Sequence, residues 1–370
     1  MSGPVGVGVI GAGVISNQYL ENLVTAADLA VLMVADLDPA RAAAQAAAYG
    51  VPSSGTVSEL LARDDIEIVV NLTIPAAHVP VALDALAAGK HVWSEKPFAL
   101  DLESGQALLD EAHRVGLRVA CAPDTVLGAG VQTGRRLLES GAIGTPLTAF
   151  TAFQVSGPEA WHPNPDFLYA RGAGPLFDMG PYYLSTLVQL LGPAARVAAR
   201  GSQARASRII ASGPRQGESF AVEVPTHVSA LIDFEGGATA QSTFSFQSSR
   251  PRVGVVEIAG TEGTLSLPDP NMFDGELRIW RDGMFDESEA EVVPATGSTF
   301  SRGAGVVELA RAIRAGRPER ASGEFAFHVL DIMVSTQLSA ETDGAAVDIT
   351  STVPIPPALP ETWNPTEQTL

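Results

Sequence analysis

The chain has 370 residues, of which 46% are hydrophobic and 18% are charged, and its formal net charge is −19. This length exceeds the usual size of one hydrophobic core and predicts two domains. The composition is that of a globular protein, and the negative charge disfavours nucleic acid and anionic membranes as partners. The single cysteine, Cys121, excludes an internal disulfide and a cysteine-built metal cluster. The six histidines show no H-E-x-x-H or comparable metal-ligand spacing, so we predict no metal. The chain shows no leader and no apolar run long enough to span a bilayer, which predicts a cytoplasmic protein.

The first stretch of the chain has the pattern of a dinucleotide-binding turn. A valine-rich run from Val5 to Ile10 predicts a buried parallel strand, and it leads directly into Gly11 and Gly13. The first glycine permits a tight turn, and the second lets the backbone approach a pyrophosphate at the N-terminus of the helix that follows. Ser16 stands at the third position of G-x-G-x-x-G, so the match is incomplete. The predicted cofactor-binding residues here are Gly11, Gly13, Val14 and Ile15.

Asp36 is the second cofactor signal. It lies 20 residues after Ser16, at the end of the apolar run Leu29–Ala35. A carboxylate at this place binds the ribose hydroxyls of NAD. Leu37 follows it, and no arginine stands beside it to receive the 2′-phosphate of NADP, so the sequence favours NAD. The alternative is that the glycines form only a turn, which the order of strand, glycines, helix, strand and acid disfavours.

The pattern then alternates between helix and strand up to residue 124. Strands are predicted at Ile66–Leu72, Lys90–Trp93 and Leu117–Ala120, which indicates a doubly wound parallel sheet. Thr73, Pro75 and His78 follow the first of these runs, at the edge where ligands bind in such sheets, and we expect them to contact the cofactor. His78 could equally be a helix cap. We predict a Rossmann NAD-binding domain over residues 1–124.

The remaining sequence predicts an α+β domain over residues 125–353. A helix is expected at 131–140, a strand at 146–155 and a helix at 177–191. Between Arg196 and Val293, alternating runs predict a large, open, mostly antiparallel sheet. These runs are His227–Phe234, Ala238–Phe246, Val253–Ala259, Gly263–Leu267 and Glu276–Trp280. Helices at 305–315 and 325–341 follow, and the proline-rich residues 354–370 predict an extended tail.

Lys96 is the main candidate for proton transfer. It follows a predicted strand end, and Pro97 disfavours a helical conformation for it. A lysine there can project into a cofactor cleft, where a cationic nicotinamide ring makes the neutral amine more accessible as a base. The alternative is a surface lysine beside a turn proline.

Asp178 and Tyr182 form a second candidate cluster. Their i, i+4 spacing places them on one helix face, where a carboxylate and a phenol could hydrogen-bond a polyol. Helix capping by Asp178 and core packing of Tyr182 are the alternatives. Trp161 and His162 are expected either to line a sugar pocket or to anchor a loop.

Three strings of the sequence resemble the Gfo/Idh/MocA oxidoreductases, the group of glucose–fructose oxidoreductases and inositol dehydrogenases. The strings are Gly11–Ser16, Ala88–Pro97 and Gly174–Gly180. The resemblance covers nearly the whole chain. It implies a Rossmann domain, an α+β domain with an open sheet, bound NAD, and a homodimer or homotetramer formed through the exposed sheet face.

The resemblance also implies roles for single residues. The lysine of the family's E-K-P motif is Lys96, which transfers a proton or orients the substrate, and Glu95 precedes it at the cofactor. The aspartate of the D-x-G-x-H motif is Asp178, whereas Tyr182 replaces its histidine, and a phenol is normally a much weaker base. Asp124 stands in place of an Asn-x-Arg element and is expected to alter substrate recognition.

The sequence thus predicts an NAD-dependent oxidoreductase acting on a secondary hydroxyl of a sugar, polyol or glycoside, with substrate bound by Lys96, Asp124, Trp161, His162, Asp178 and Tyr182. Two alternatives remain. One is a redox-neutral enzyme that uses NAD to cleave or epimerise glycosides, which Tyr182 modestly favours. The other is a non-catalytic NAD- or sugar-binding regulator, which the presence of Lys96 and Asp178 disfavours.

Overall fold

The computed structural model describes residues 3–284 and 286–370, and the chain divides into two compact units. Unit 1 comprises Met1–Ala129, Thr296–Leu330 and Leu359–Leu370, and unit 2 comprises Gly130–Ala295 and Asp331–Ala358. Contacts therefore assign residues 296–330 to the first unit, although their position in the chain places them in the second predicted domain. The domain boundaries at residues 124 and 353 stay a prediction.

Unit 1 contains a parallel sheet of six strands in the order β3-β2-β1-β4-β5-β6. The order reverses between β1 and β4, which makes the carboxyl ends of these strands the ligand-binding edge of the sheet. The predicted doubly wound fold is confirmed. The strands are β1 Val5–Ile10, β2 Leu29–Ala35, β3 Ser54–Gly55, β4 Ile68–Asn71, β5 His91–Ser94 and β6 Val119–Cys121.

The helices of this sheet begin and end where local sequence signals occur. Asp38 accepts hydrogen bonds from two first-turn N–H groups, Thr56 forms a capping box, and Asp101 accepts from the Ser104 N–H at 2.8 Å. Gly50 and Gly116 end two helices in the left-handed conformation. The helices are α1 Val14–Leu23, α2 Pro39–Tyr49, α3 Val57–Leu61, α4 His78–Ala87 and α5 Leu102–Val115.

Unit 2 is built on a second sheet, which has nine strands among the described residues. Its order is β16-β15-β14-β13-β7-β12-β11-β8-β17. The neighbours are antiparallel except for β7 and β12, which are parallel, so the sheet is mixed. Two more strands, β9 Ser207–Ile209 and β10 Ser219–Ala221, form a separate hairpin. The sheet strands are β7 Pro146–Gln154, β8 Ala194–Ser202, β11 His227–Phe234, β12 Thr239–Ser245, β13 Arg252–Gly260, β14 Thr264–Leu267, β15 Glu276–Trp280, β16 Glu291–Pro294 and β17 Val347–Asp348.

One face of this sheet is covered by a helix and the other is exposed. The helix α7 packs against β7, β11 and β12. On β11, Val228 and Ile232 are buried, whereas Leu231 points to the opposite face and is exposed. This alternation is the mark of a sheet that buries one face only. The remaining helices are α6 Ala129–Glu139, α7 Gly174–Leu191, α8 Ala304–Ala315 and α9 Gly323–Glu341.

The tail joins unit 1 through a buried ion pair. The Asp28 side chain is fully buried and accepts hydrogen bonds from the backbone N–H groups of Thr369 and Leu370, at 2.7 and 2.9 Å. Arg311 donates to the same carboxylate at 2.7 Å and to the Asn364 carbonyl at 2.9 Å. The tail predicted as extended contains turns but no helix or strand. The hydrogen bonds to Asp28 and Arg311 hold it against the rest of unit 1.

We predict that Asp28→Ala lowers the free energy of unfolding by about 3–5 kcal/mol, because it leaves Arg311 buried without its carboxylate. Burial alone would raise the pKa of Asp28, but hydrogen bonds from Thr369, Arg311 and Leu370 hold it below its ordinary value. The contribution should therefore persist above about pH 4 and fade as the pH falls through the lowered pKa.

Denaturant titration at two pH values checks this, with Asp348→Ala as the matched control. Asp348 pairs with Arg196 on an exposed surface, so its loss should leave stability nearly unchanged. Equal effects of the two substitutions would contradict the role of the buried pair.

Candidate cofactor and catalytic site

The glycine turn has the geometry that a pyrophosphate site needs. Gly11 has φ +104°, and a Cβ there would lie 2.7 Å from the backbone of Leu72, so only glycine fits. A Cβ added to Gly13 would meet no atom within 4 Å, so its backbone faces open space. Helix α1 begins at exposed Val14 and half-buried Ile15 without a side-chain cap. An anion can therefore approach the N–H groups of the first turn, and the turn fits the diphosphate of NAD.

Asp36 lies beside this turn, at the end of β2. Its Oδ2 accepts from the Ala12 N–H at 2.7 Å and its Oδ1 from the Asp38 N–H at 2.9 Å. Leu37 and Ile74, which follow the ends of β2 and β4 on either side of β1, are 96% and 70% exposed. Both side chains are therefore accessible to a ligand.

The structure corrects one step of the sequence argument about the cofactor. Arg41 Nη1 lies 3.8 Å from Asp36 Oδ1, so an arginine does stand beside this acid. Arg41 lies in the first turn of α2, five residues after Asp36, and the helix turn places its side chain beside that carboxylate. Asp38 Oδ2 lies 3.9 Å from the same guanidinium. Two carboxylates around one cation leave a net negative charge, which still disfavours the 2′-phosphate of NADP.

His78 connects two loops and lies inside the protein. Its ring is buried, with Nδ1 2.8 Å from the Pro97 carbonyl oxygen and Nε2 3.1 Å from the Thr73 carbonyl oxygen. Burial lowers its pKa. The half-buried Thr73 also donates through Oγ1 to Asn71 Oδ1 at 2.6 Å, and Pro75 begins the short turn before α4. We interpret His78 as a residue that positions these loops. Asn71 is a contributor that the sequence motif did not indicate.

The Glu95–Lys96–Pro97 loop follows the end of β5, on the same edge of the sheet. Glu95 is only 8% exposed, and its Oε1 accepts from the Tyr19 hydroxyl at 2.8 Å. Its Oε2 accepts from the Lys96 N–H at 3.1 Å. Lys96 is half-buried, and the peptide bond that joins it to Pro97 is cis. The Glu95 carboxylate therefore points into the protein, toward α1.

Asp124 is buried beside the start of α8. Its side chain is 0% exposed, and its Oδ2 accepts from the N–H groups of Gly303 and Gly305, at 2.8 and 3.2 Å. Arg302 Nη1 lies 3.5 Å from its other oxygen. Burial raises the pKa of Asp124, and Arg302 opposes that shift. A buried acid that binds the first N–H groups of α8 acts as a helix cap, which argues against direct contact with a substrate.

The other predicted substrate residues lie in unit 2. Asp178 and Tyr182 are one turn apart on α7, the first half-buried and the second buried. Trp161 is 68% exposed, and the His162 ring lies 5.5 Å from both Trp161 and Phe167, centroid to centroid. These three rings form an exposed aromatic cluster. The hairpin β9–β10 braces the same segment, since Arg215 donates to Asp166 at 2.7 and 3.0 Å.

Cys121 is buried, its thiol faces the Glu95 carbonyl oxygen at 3.6 Å, and burial raises its pKa, as for an unreactive thiol. Within the described ranges, no three His, Cys, Asp or Glu side chains are grouped as metal ligands. Of the helices described, none combines the length and the apolar character that crossing a membrane requires.

Comparison with known proteins agrees with this geometry. Residues 5–122 match the oxidoreductase family with an NAD-binding Rossmann fold, and residues 131–266 match the GFO/IDH/MocA C-terminal domain. The chain is 29% identical to a dTDP-3,4-didehydro-2,6-dideoxy-alpha-D-glucose 3-reductase of Saccharopolyspora spinosa, over 85% of this chain and 90% of that protein. It is 28% identical to inositol 2-dehydrogenase 3 of Saccharopolyspora erythraea, over 76% and 85%.

A solved structure shows the same fold. An NAD-binding oxidoreductase from Klebsiella pneumoniae superposes with a TM-score of 0.81 at 24% identity, over 94% of this chain and all of that one. The two family domains occur in the same order as the Rossmann sheet and the nine-stranded sheet. The chain belongs to the Gfo/Idh/MocA family of NAD-binding oxidoreductases.

Proposed function

We propose that the protein transfers hydride between NAD and a secondary hydroxyl of a sugar, polyol or glycoside. The observation that carries this is the placement of the glycine turn, Asp36 and the Lys96 loop along one edge of one parallel sheet. The two curated relatives named above are a sugar-nucleotide reductase and an inositol dehydrogenase, which supports a polyhydroxylated substrate. We also propose that the protein works in the cytoplasm.

The backbone of the glycine turn and of the first α1 turn holds the pyrophosphate, and Asp36 holds the ribose. Thr73 and Pro75 line the next strand end, and exposed Leu37 and Ile74 cover the adenine. Bound NAD accepts or supplies the hydride. Glu95 and His78 are turned inward, so they shape the site without contacting the cofactor.

Lys96 takes the hydroxyl proton during oxidation and returns it during reduction. The sequence contains only two lysines, Lys90 and Lys96, against 21 arginines (23 cationic residues less two). The Lys90 ammonium donates to the Arg63 carbonyl oxygen at 2.6 Å, which is a structural contact. An arginine does not deprotonate in proteins, whereas a lysine amine can act as a base. The lysine at the strand end is thus the cationic side chain suited to proton transfer.

Asp178 and Tyr182 orient the substrate in this proposal. A carboxylate accepts hydrogen bonds from sugar hydroxyls, and a phenol both donates and accepts. Trp161 and His162 offer ring faces on which a sugar can stack. Because a phenol is ordinarily a weaker base than an imidazole, we assign proton transfer to Lys96 and not to Tyr182.

The replacement of the family histidine by Tyr182 supports a second candidate. In it, the sugar is oxidised transiently to a ketone and is reduced again by the same cofactor molecule. For cleavage, the substituent leaves by elimination with the proton next to the ketone, and water adds in its place before the reduction. For epimerisation, no substituent is lost and the hydride returns to the opposite face, so neither reaction accumulates NADH. Turnover without free NADH would identify this reaction.

We predict that Lys96→Met lowers kcat by a factor of about 10²–10⁴, because the proton acceptor is lost. NAD affinity should change little, since backbone groups and Asp36 hold the cofactor. Steady-state kinetics with a responsive sugar and titration of tryptophan fluorescence with NAD measure the two effects. The matched control is Lys90→Met, which should retain kcat, and comparable losses in both variants would contradict the assignment.

Asp36 and Arg41 together should set cofactor preference. We predict that Asp36→Ser weakens NAD binding and strengthens NADP binding, each about tenfold, because Arg41 can then face the 2′-phosphate. The double variant Asp36→Ser/Arg41→Gln should lose the gain for NADP. Binding titrations with both dinucleotides measure these affinities. An undiminished NADP affinity in the double variant would show that Arg41 does not bind the 2′-phosphate.

We further propose a homodimer or homotetramer formed through the open face of the nine-stranded sheet. Phe150 and Leu231 are exposed on this face, in a shallow depression that Thr148, Gln241 and Glu257 also line. An exposed apolar patch on a sheet face is typical of a contact with another protein surface.

Light scattering after gel filtration should show a dimer or tetramer, and the double substitution Phe150→Asp/Leu231→Asp should give a monomer. Ile209→Asp is the control, because Ile209 is equally exposed but lies on the β9–β10 hairpin. A native protein that is monomeric at micromolar concentration would contradict this proposal.

A further inference from the structure

Tyr19 lies between the glycine turn and the Glu95–Lys96–Pro97 loop. It lies on α1, whose N-terminus faces the predicted pyrophosphate, and its side chain is fully buried. Its hydroxyl donates to Glu95 Oε1 at 2.8 Å and accepts from the Trp93 ring N–H at 3.1 Å. Both hydrogen-bonding capacities of the phenol are therefore used inside the protein.

Glu95 hydrogen-bonds Lys96 as well as Tyr19. Its second carboxylate oxygen accepts from the Lys96 N–H, and its own N–H donates to the Asn71 carbonyl at 2.9 Å. A carboxylate with so little exposure needs such donors to remain buried. Since one oxygen holds Tyr19 and the other holds the Lys96 backbone, a rotation of the carboxylate disturbs both.

We propose that Tyr19 is a positioning residue that couples the cofactor-binding helix to the proton-transferring lysine through the Glu95 carboxylate. The inference rests on the proposed function of Lys96. A helix is a rigid element, so a displacement of α1 at the pyrophosphate moves Tyr19 with it. The bonds described above then carry the displacement to the Glu95–Lys96–Pro97 loop. Lys96 is thereby placed for catalysis in step with cofactor binding.

The charges around Tyr19 agree with a donor role. Burial raises its pKa, and Glu95 and Asp124 raise it further, whereas Arg302 lowers it. A raised pKa favours the protonated phenol, which is the form that donates to Glu95. Lys96 acts on the same surroundings, since its charge lowers the pKa of both Cys121 and His78.

The test is Tyr19→Phe, which keeps the ring and removes only the hydroxyl. We expect kcat to fall about tenfold and its pH profile to shift, because the lysine amine is displaced from its working position. Tyr49→Phe is the matched control, since the Tyr49 hydroxyl also reaches α1, at Asn17 Oδ1 (3.1 Å), but on the exposed side. It should leave both quantities unchanged.

A second readout does not depend on turnover. An amine-acylating reagent labels Lys96, and peptide mass spectrometry gives the ratio of labelled to unlabelled Lys96. We expect this ratio to change about threefold in Tyr19→Phe and to stay constant in Tyr49→Phe. If Tyr19→Phe fails to fold, Glu95→Gln replaces it, because the amide disrupts one of the two accepted bonds and should alter the ratio in the same way.

A Tyr19→Phe protein with normal kcat, pH profile and labelling ratio would overturn the inference, even if its melting temperature were lower. This failure differs from a failure of the proposed function. If only the inference about Tyr19 is wrong, Lys96→Met is inactive while Tyr19→Phe is normal. If the proposed function of Lys96 is wrong, Lys96→Met remains active.

Discussion

A parallel sheet brings the carboxyl ends of its strands to one edge, and the organisation of unit 1 depends on this constraint. The apolar, fully buried β1 fixes the centre of the sheet, and Gly11 allows the chain to turn sharply at its end. Neighbouring strands then deliver further groups to the same edge. These are Asp36 after β2, Thr73 after β4 and Lys96 after β5. Cofactor binding and proton transfer are proposed for residues that share this edge because of strand direction.

Behind that edge, three buried polar side chains are held by hydrogen bonds. Glu95 is held by Tyr19, His78 lies between two carbonyl oxygens, and Asp124 binds the start of α8. Most of these contacts join segments that are distant in the chain, and each would be costly if one partner were removed. The loops that carry the proposed active residues thus rest on a rigid polar support, which is what accurate placement of a reacting group requires.

Local signals in the sequence predicted much of this fold. The run His227–Phe234 and the glycine turn depend on neighbouring residues, and the structure confirms them. The parallel pairing of β7 with β12 was not predicted, because alternation along a strand does not reveal the direction of its neighbour. Three-residue strands such as β9 give too short a pattern to recognise.

The site was harder to predict, because its contacts join residues that lie far apart in the chain. Asp124 meets α8 through contacts 179 and 181 residues away, which no motif near Asp124 reveals. Arg41 reaches Asp36 only because α2 begins between them. The motif around Lys96 indicated a loop but not that Glu95 turns inward to Tyr19. Motifs located the groups, whereas the direction of each side chain depends on packing from distant segments.

The most direct test of the central claim follows the hydrogen that is transferred. The protein is incubated with NAD and a panel of sugars, inositols and glycosides deuterated at their secondary carbinol positions, and the reduced cofactor is analysed by mass spectrometry. The account predicts that at least one substrate yields NADH that carries the deuterium, and that Lys96→Met yields almost none. Product formation with no labelled NADH released would contradict net dehydrogenation and would favour the redox-neutral reaction.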